Sequence, residues 1–474
     1  MSKHSDCQSR VAVPIPRPID NERNMPYITR TPHAMPSDKP SERFRAEMKS
    51  IIDELAWRGL IHQATEEANL KGVLSKPTVV YAGFDPTAES LHVGSLLPLM
   101  LLRRFQQAGH RPIALVGGAT GMIGDPSGKS DERQLLSREI LEQNVVGIRR
   151  QMEQFLSFEG SNAAIVVNNF DWMQSFSFLD FLRDVGKNVP VNVMLTKDSV
   201  KARLERSDSG LSYTEFSYML LQAYDFVHLA RQYDCQVQIG GSDQWGNITA
   251  GIDLGRRMLG RSLYGMTCPL LTTSDGKKMG KTERGAVWLA SNRTSPYEFY
   301  QYFINVDDND VMMVLRFLTE LESQECDALA TSLREQPHLR AAQKRLAESL
   351  TRLVHGEAGL AVAERATKIL FGAEIDGLSD NELLPIFRDV PSCEMPRSQL
   401  DQGVGIIDAL CAAGLAASKS EARRTISEGA AYVNNRRVAS IEKVLTPADL
   451  ASETVVVLRS GKKRYALIRF DGAA

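Results

Sequence analysis

Two stretches set lysine beside glycine in a way that suits phosphate chemistry: GKKMGKT at 276–282 and GDPSGKS at 124–130. Each has three residues between its glycines, where the P-loop pattern G-x-x-x-x-G-K-[ST] needs four, so neither is a P-loop by spacing. In the first, Lys278 and Lys281 flank Gly280 on a loop that can close over polyphosphate and neutralise charge on a leaving group. An exposed basic turn is the plainer reading of that stretch alone. A third candidate is His92-Val93-Gly94-Ser95, where a loop enters a helix. Glycine there admits close backbone approach, the helix N-terminus favours an anion, and Thr87 and His92 can donate to a phosphate. The plainer alternative is a histidine that only caps or packs.

SYTEFSYMLLQAYDF (212–226) opens with Ser212 and Glu215 in a capping-box pattern. Tyr218, Gln222 and Asp225 then recur at i, i+4 and i+7, one polar stripe on a helix otherwise filled with Met, Leu and Phe. Such a stripe suits a small polar ligand. Asp225 can accept from a hydroxyl, and Tyr218 and Gln222 can accept from an ammonium. A buried structural network would use the same residue types. QIGGSDQWGN (238–247) follows an apolar run and reads as a polar binding turn at a strand's end.

The elements that must hold these residues alternate. TVVYAGF (78–84) reads as a strand, DPTAESLHVGS as a loop, LLPLMLLRRFQQAG (96–109) as a helix, and RPIALVGG (111–118) as the next strand. That is a βαβ unit, hence a parallel α/β sheet with ligands at the carboxyl ends of its strands. No G-x-G-x-x-G follows the first strand, which disfavours a dinucleotide dehydrogenase. Further strands are expected at 163–170 and 235–241. Residues 1–42, rich in Pro, Arg, Ser and Asn, read as a disordered extension. A helix is expected over 41–60 with Ser41 as its N-cap. An α/β, Rossmann-like domain is expected over 43–290, a helical domain over 291–385, a Pro/Gly-broken linker over 386–402, and a small α+β domain over 403–474.

The 474-residue chain is 43% hydrophobic and 24% charged, with a net charge of −2, so no global field draws it to nucleic acid. From Leu400 onward 11 Lys and Arg face 8 Asp and Glu, a basic tail on an acidic body that hints at an anionic partner. The six cysteines form no C-x-x-C pair and read as reduced thiols of a cytoplasmic protein. The apolar run LLPLMLL is too short to span a membrane, and the N-terminus has no secretory h-region.

HVGS and KMGKT together are similar to the HIGH and KMSKS motifs of class I aminoacyl-tRNA synthetases. More closely, YAGFDPTAESLHVGS, FQQAGHRPIALVGGATGMIGDPSGK, FSYMLLQAYDF, QIGGSDQWGNI, RTSPYEFYQYFIN and TRLVHGE resemble the bacterial tyrosyl-tRNA synthetase family, over about residues 45–474. GLAASKSEARRTISEGAAYVNN (414–435) resembles an S4-type RNA-binding domain. The resemblance implies ATP-driven activation of L-tyrosine and its transfer to tRNA(Tyr) by a homodimer, with Mg2+ accompanying ATP and no protein-bound metal.

It also implies roles. Tyr81 and Asp225 hold the phenol. Asp125, Tyr218 and Gln222 hold the ammonium, and Gln238 and Gln244 line the same pocket. Asp85 and Asp243 lie near the ammonium and the ATP ribose, with Gly94, Ser95, Gly241 and Thr282 also on ATP. Thr87 and His92 meet the γ-phosphate, and Lys129, Arg133, Lys278 and Lys281 meet pyrophosphate. Lys419, Arg423, Arg424 and the Lys462–Arg464 cluster are candidates for tRNA phosphates. Ser95 departs from the family's usual His, which puts a catalytic role for that position in doubt. Two rivals remain: a tryptophan-specific enzyme on the same fold, against which the Tyr81–Asp225 pair speaks, and a non-catalytic RNA-binding protein. Intact His92, Asp125, Lys278 and Lys281 speak against the second.

Overall fold

The computed structural model describes residues 50–127, 136–197, 200–201, 204, 211–283, 285–388, 390–461 and 464–471. The extension 1–42, the expected cap Ser41, Lys129, Arg133 and Lys462 lie outside the described residues. The helix foreseen at 41–60 is described as α1 (Ile51–Arg58), with Ser50 accepting from the Asp53 N–H as its cap and Gly59 closing it in the left-handed conformation.

Six strands form one sheet: β1 (Gln63–Ala64), β2 (Val79–Phe84), β3 (Arg111–Val116), β4 (Ile165–Asn168), β5 (Cys235–Gly241) and β6 (Tyr264–Cys268). Their order is β1-β6-β5-β2-β3-β4. All neighbours are parallel except the edge pair β1–β6. The chain runs outward from β2 through β3 to β4, then returns to β5 on β2's other side. The strand order therefore reverses between β2 and β5, and the crevice beyond their carboxyl ends is the expected ligand site of such a sheet.

Helix α2 (Val93–Gln107) crosses from β2 to β3, α3 (Arg138–Met152) precedes β4, and α4 (Tyr213–Tyr233) and α5 (Trp245–Leu259) flank β5. α2 begins three residues earlier than its apolar pattern suggested, so His92 is its N-cap and HVGS is the helix start itself. The N-terminus of α4 carries the foreseen cap, Ser212 accepting from the Glu215 N–H.

The helical part contains α6 (Pro296–Ile304), α7 (Val311–Leu318), α8 (Ser323–Glu335), α9 (Ala341–Leu370) and α10 (Asp380–Ile386). Its apolar core is continuous with that of the sheet. Three buried or nearly buried arginines also tie it there. Arg104 donates to Thr319 O at 2.7 Å, Arg58 donates to Thr319 O and Leu321 O, and Arg103 pairs with Glu320 at 2.5 Å. The Arg58 and Arg104 donors satisfy carbonyls at and just beyond the C-terminus of α7 that have no helical partner. α9 is broken at Gly356 (φ 72°), a conformation open to glycine, with His355 packed edge-on against Phe299 of α6.

Within the stretch 386–402, expected as a linker, residues Ser392–Pro396 form a strand and Arg397–Gln402 a helix. The strand, β7 (Ser392–Pro396), pairs in parallel with Arg464–Asp471 at the edge of a five-stranded sheet in the C-terminal part. Pro391, Pro396 and Gly403 suggested breaks, but Pro391 and Pro396 sit at the strand's ends, where no ladder donor is lost. A further apolar cluster joins Ile369, Leu383 and Phe387 to Val455, Val457 and Leu467, so the helical and C-terminal parts share a core.

Candidate active site

A cavity of about 370 Å³ opens at the β2/β5 switch point. The ends of β2 and β5, the N-terminus of α2, the polar face of α4 and the 278–281 segment converge on it. It brings together Tyr81, Asp85, Thr87, His92, Gly94, Ser95, Asp125, Tyr218, Gln222, Asp225, Gln238, Gly241, Asp243, Gln244, Lys278 and Lys281. Of the described candidates for the tyrosine and ATP sites, Thr282 alone does not line it. That side chain is exposed, and its hydroxyl donates to Gly285 O within the hairpin Lys281–Thr282/Gly285–Ala286.

The deepest wall is built from Tyr81 and Asp225, each 1% exposed. Asp225 accepts from Asn169 Nδ2 at 3.0 Å and Trp172 Nε1 at 2.9 Å. Burial pushes its carboxyl up to about 8, against the pull of these two donors, and the Asp85 charge adds to the rise. The Tyr81 hydroxyl and Gln238 Oε1 are buried without a hydrogen-bond partner among the described residues. Burial, then the charge of Asp225, drives the Tyr81 phenol well above its ordinary range, so it stays protonated and can donate. A buried polar atom with no partner costs about 1–3 kcal/mol, which a ligand hydroxyl placed there would offset.

The middle of the cavity carries two networks. Tyr218 donates to Asp85 at 3.1 Å, Thr120 donates to the other Asp85 oxygen at 2.9 Å, and Asn169 donates to the Thr120 hydroxyl. Gly117 is required beside them, since a Cβ there would lie 2.3 Å from Asp85 Oδ1. In the second, Gln222 donates to Gln244 Oε1 at 3.2 Å, and Gln244 Nε2 donates to Asp125 at 2.6 Å. Asn247 also donates to Gln244, and the Ser127 N–H donates to Asp125. The Tyr218/Gln222/Asp225 stripe is therefore one helix face serving four separate partners, Asp85, Gln244, Asn169 and Trp172. The sequence reading missed Asn169, Trp172, Thr120 and Asn247. Asn169 lay in plain view as the polar turn after an apolar strand, but Trp172 and Thr120 gave no local signal.

At the mouth, His92 caps α2 with its ring over Gly94, where a Cβ would lie 2.8 Å from His92 Cε1. Gly280 (φ 83°) rests directly on this helix start, and a Cβ there would meet Val93 Cβ at 2.9 Å. Its N–H donates to the Tyr302 hydroxyl at 2.7 Å, its carbonyl accepts from the Val287 N–H, and Val287 O accepts from the Val93 N–H. The lysine segment is thus pinned over the amino end of α2 between two elements. Lys278 Nζ stands 3.8 Å from Asp243 Oδ2. Two exposed lysines thus stand beside a helix N-terminus, where positive charge gathers, above a floor that holds the buried Tyr81 hydroxyl.

Among the described residues no group of three or more His, Cys, Asp or Glu could hold a metal ion, and no helix is long and apolar enough to cross a membrane. Of the RNA candidates, Lys419 pairs with Asp408 at 2.6 Å, Arg424 lies 4.0 Å from Glu428, and Arg423 and Arg464 are exposed.

Residues 74–372 match the family described as tRNA synthetases class I (W and Y), and residues 382–468 match a tyrosine–tRNA ligase SYY-like C-terminal domain. The chain belongs to the class I tRNA synthetases of the W and Y group. Within that group it is similar to proteins named tyrosine–tRNA ligase. That of Rhodopirellula baltica is 62% identical over 89% of this chain and 97% of its own length, and that of Roseiflexus castenholzii 52% over 89% and 100%. The crystal structure of a C-terminally truncated Aspergillus nidulans mitochondrial tyrosyl-tRNA synthetase superposes with a TM-score of 0.62 at 32% identity, covering 69% of this chain and 98% of that one.

Proposed function

We infer that the chain is a tyrosine–tRNA ligase, joining L-tyrosine to ATP as tyrosyl-adenylate with release of pyrophosphate, then passing tyrosine to the 3′ end of tRNA(Tyr). The observation that carries the reading is the floor of the cavity, where an unpartnered Tyr81 hydroxyl and the buried Asp225 carboxylate offer a donor and an acceptor to one phenolic hydroxyl. An indole has no group that would both accept from the first and donate to the second, so tryptophan is the poorer fit.

In the chemistry we propose, the tyrosine carboxylate attacks the α-phosphorus and the bond to pyrophosphate breaks. The nucleophile is already ionised, so no general base is needed, and catalysis rests on positioning and charge. Asp125, Tyr218 and Gln222, with Gln238 and Gln244 beside them, hold the amino acid's ammonium end. Asp85, Gly94, Ser95, Gly241 and Asp243 surround the nucleoside. Thr87, His92, Lys278 and Lys281 meet the phosphates, with Thr282 following Lys281 on the same hairpin strand. Ser95 supplies a hydroxyl at a helix start. Mg2+ enters as part of the ATP substrate.

tRNA(Tyr) engages the basic C-terminal part, with Lys419, Arg423, Arg424 and Arg464 on phosphates. A homodimer is supported by apolar residues exposed along 178–213, Phe178 and Leu179 at 65% and 75% and Tyr213 at 61%. Free thiols at the five described cysteines suit a reducing cytoplasm. The reading is tested by amino-acid-dependent ATP–pyrophosphate exchange without tRNA. Exchange with tyrosine and none with tryptophan is expected, and the reverse would overturn it.

A further inference from the structure

Helix α3 puts no polar side chain into the cavity, yet it grips the loop between β2 and α2 from end to end. Asn144, 6% exposed, donates through Nδ2 to Pro86 O at 2.9 Å. One turn on, Gly147 lies so close that a Cβ there would be 2.1 Å from Glu89 O. Another turn on, Gln151 Oε1 accepts from the Leu91 N–H at 2.7 Å, and its Nε2 donates to Ser90 Oγ at 3.0 Å. Ser90 Oγ donates to Leu91 O and accepts from the Ala290 N–H. Residues 144, 147 and 151 fall at i, i+3 and i+7, one face of the helix.

The gripped backbone belongs to Pro86, Glu89 and Leu91. Those residues bracket Thr87 and end immediately before His92. α3 is already anchored by the buried side chains of Leu141, Ile148 and Met152. The polar face adds something different, because both of its side-chain anchors act on this one loop. A loop without regular structure exposes N–H and C=O groups that would otherwise bond to water and drift.

We propose that Asn144, Gly147 and Gln151 are positioning residues for amino-acid activation: they fix the 86–91 loop and so set Thr87 and His92 against the ATP phosphates. This rests on the reading of Thr87 and His92 as phosphate-binding groups. Tyrosine itself is held by α4, β2 and β5, which the clamp does not touch, so the two substrates separate the effect. Misplacing a group that meets the transition state by about 1 Å costs on the order of a hundredfold in rate.

The test compares wild type, Gln151→Met, which keeps the shape and loses both hydrogen bonds, and Gly147→Ala, which pushes the loop away. Three quantities are read: kcat of tyrosine-dependent pyrophosphate exchange, the Kd for tyrosine without ATP, and amide hydrogen exchange at Leu91. In Gln151→Met kcat should fall about tenfold to a hundredfold, with the tyrosine Kd within about twofold of wild type and the Leu91 amide exchanging faster. Gly147→Ala should do the same, and if it fails to fold Gln151→Met decides. Unchanged kcat in Gln151→Met, or kcat and tyrosine affinity lost in parallel, would overturn the proposal. A wild type that shows no tyrosine-dependent exchange would instead overturn the underlying functional reading.

Discussion

Asp225 shows how one residue's surroundings define what it can read. Its carboxyl is buried, receives two hydrogen bonds from Asn169 and Trp172, and has its pKa lifted to about 8. Because the folded value lies above the ordinary 3.8, the folded chain holds a proton there that the unfolded chain has released. Its contribution to stability therefore declines as pH rises across that interval. Ligand binding runs the other way, since the ionised form is the better acceptor for a phenol O–H. The Kd for tyrosine should fall as pH rises toward and through about 8, and Asp225→Asn should flatten that dependence. A flat profile in wild type would show that Asp225 is ionised throughout or does not meet the ligand. His228, stacked on Trp172 at 4.2 Å, does not confuse this test, because burial pushes it down to about 4.

At the scale of elements, the lysine segment is held from two sides. The Gly280 carbonyl belongs to a hydrogen-bond relay that reaches α2, and the Gly280 N–H is bonded to Tyr302 of α6. Tyr302→Phe removes one hydrogen bond at a loop whose lysines are proposed to meet pyrophosphate. The exchange kcat should fall about fivefold with the KM for tyrosine unchanged, the worth of one bond of about 1 kcal/mol. A KM for tyrosine that rose with kcat intact would place Tyr302 with the amino acid instead. This contact was not legible in the sequence, because it joins residues 22 apart across two elements. What was legible was local: the Ser212 cap, the i, i+4, i+7 stripe, the strand before QIGGSDQWGN and the glycine of KMGKT. Those signals lie within one helical turn or one strand. Asn169, Trp172, Thr120 and the α3 clamp depend on how the sheet stacks separate segments, which no local period encodes.

For the molecule as a whole, composition divided the chain and suggested a linker over 386–402, where prolines frame the strand Ser392–Pro396. Leu383 and Phe387 belong to a core shared with the C-terminal sheet, and strand β7 pairs along that sheet's edge, so a cut at Leu400 would leave them exposed. A cut after Gly372, where the match to the class I family also ends, removes that sheet together with α10. The 1–372 fragment should keep pyrophosphate exchange within about threefold of the full chain and lose tRNA charging by more than about a hundredfold, as expected when phosphate contacts dominate tRNA affinity. Equal loss of both activities would show that the catalytic part depends on the C-terminal part for its own fold.

The central claim is that the buried floor of the cavity reads a phenolic hydroxyl through Tyr81 and Asp225. The most direct measurement is kcat/KM for pyrophosphate exchange with tyrosine and with phenylalanine, in wild type and in Asp225→Ala. Wild type should use tyrosine and reject phenylalanine, which would leave the Tyr81 hydroxyl and the Asp225 carboxylate without the substrate hydroxyl. Asp225→Ala should lose tyrosine activation. Undiminished exchange with tyrosine in Asp225→Ala, at an unchanged preference over phenylalanine, would contradict the account.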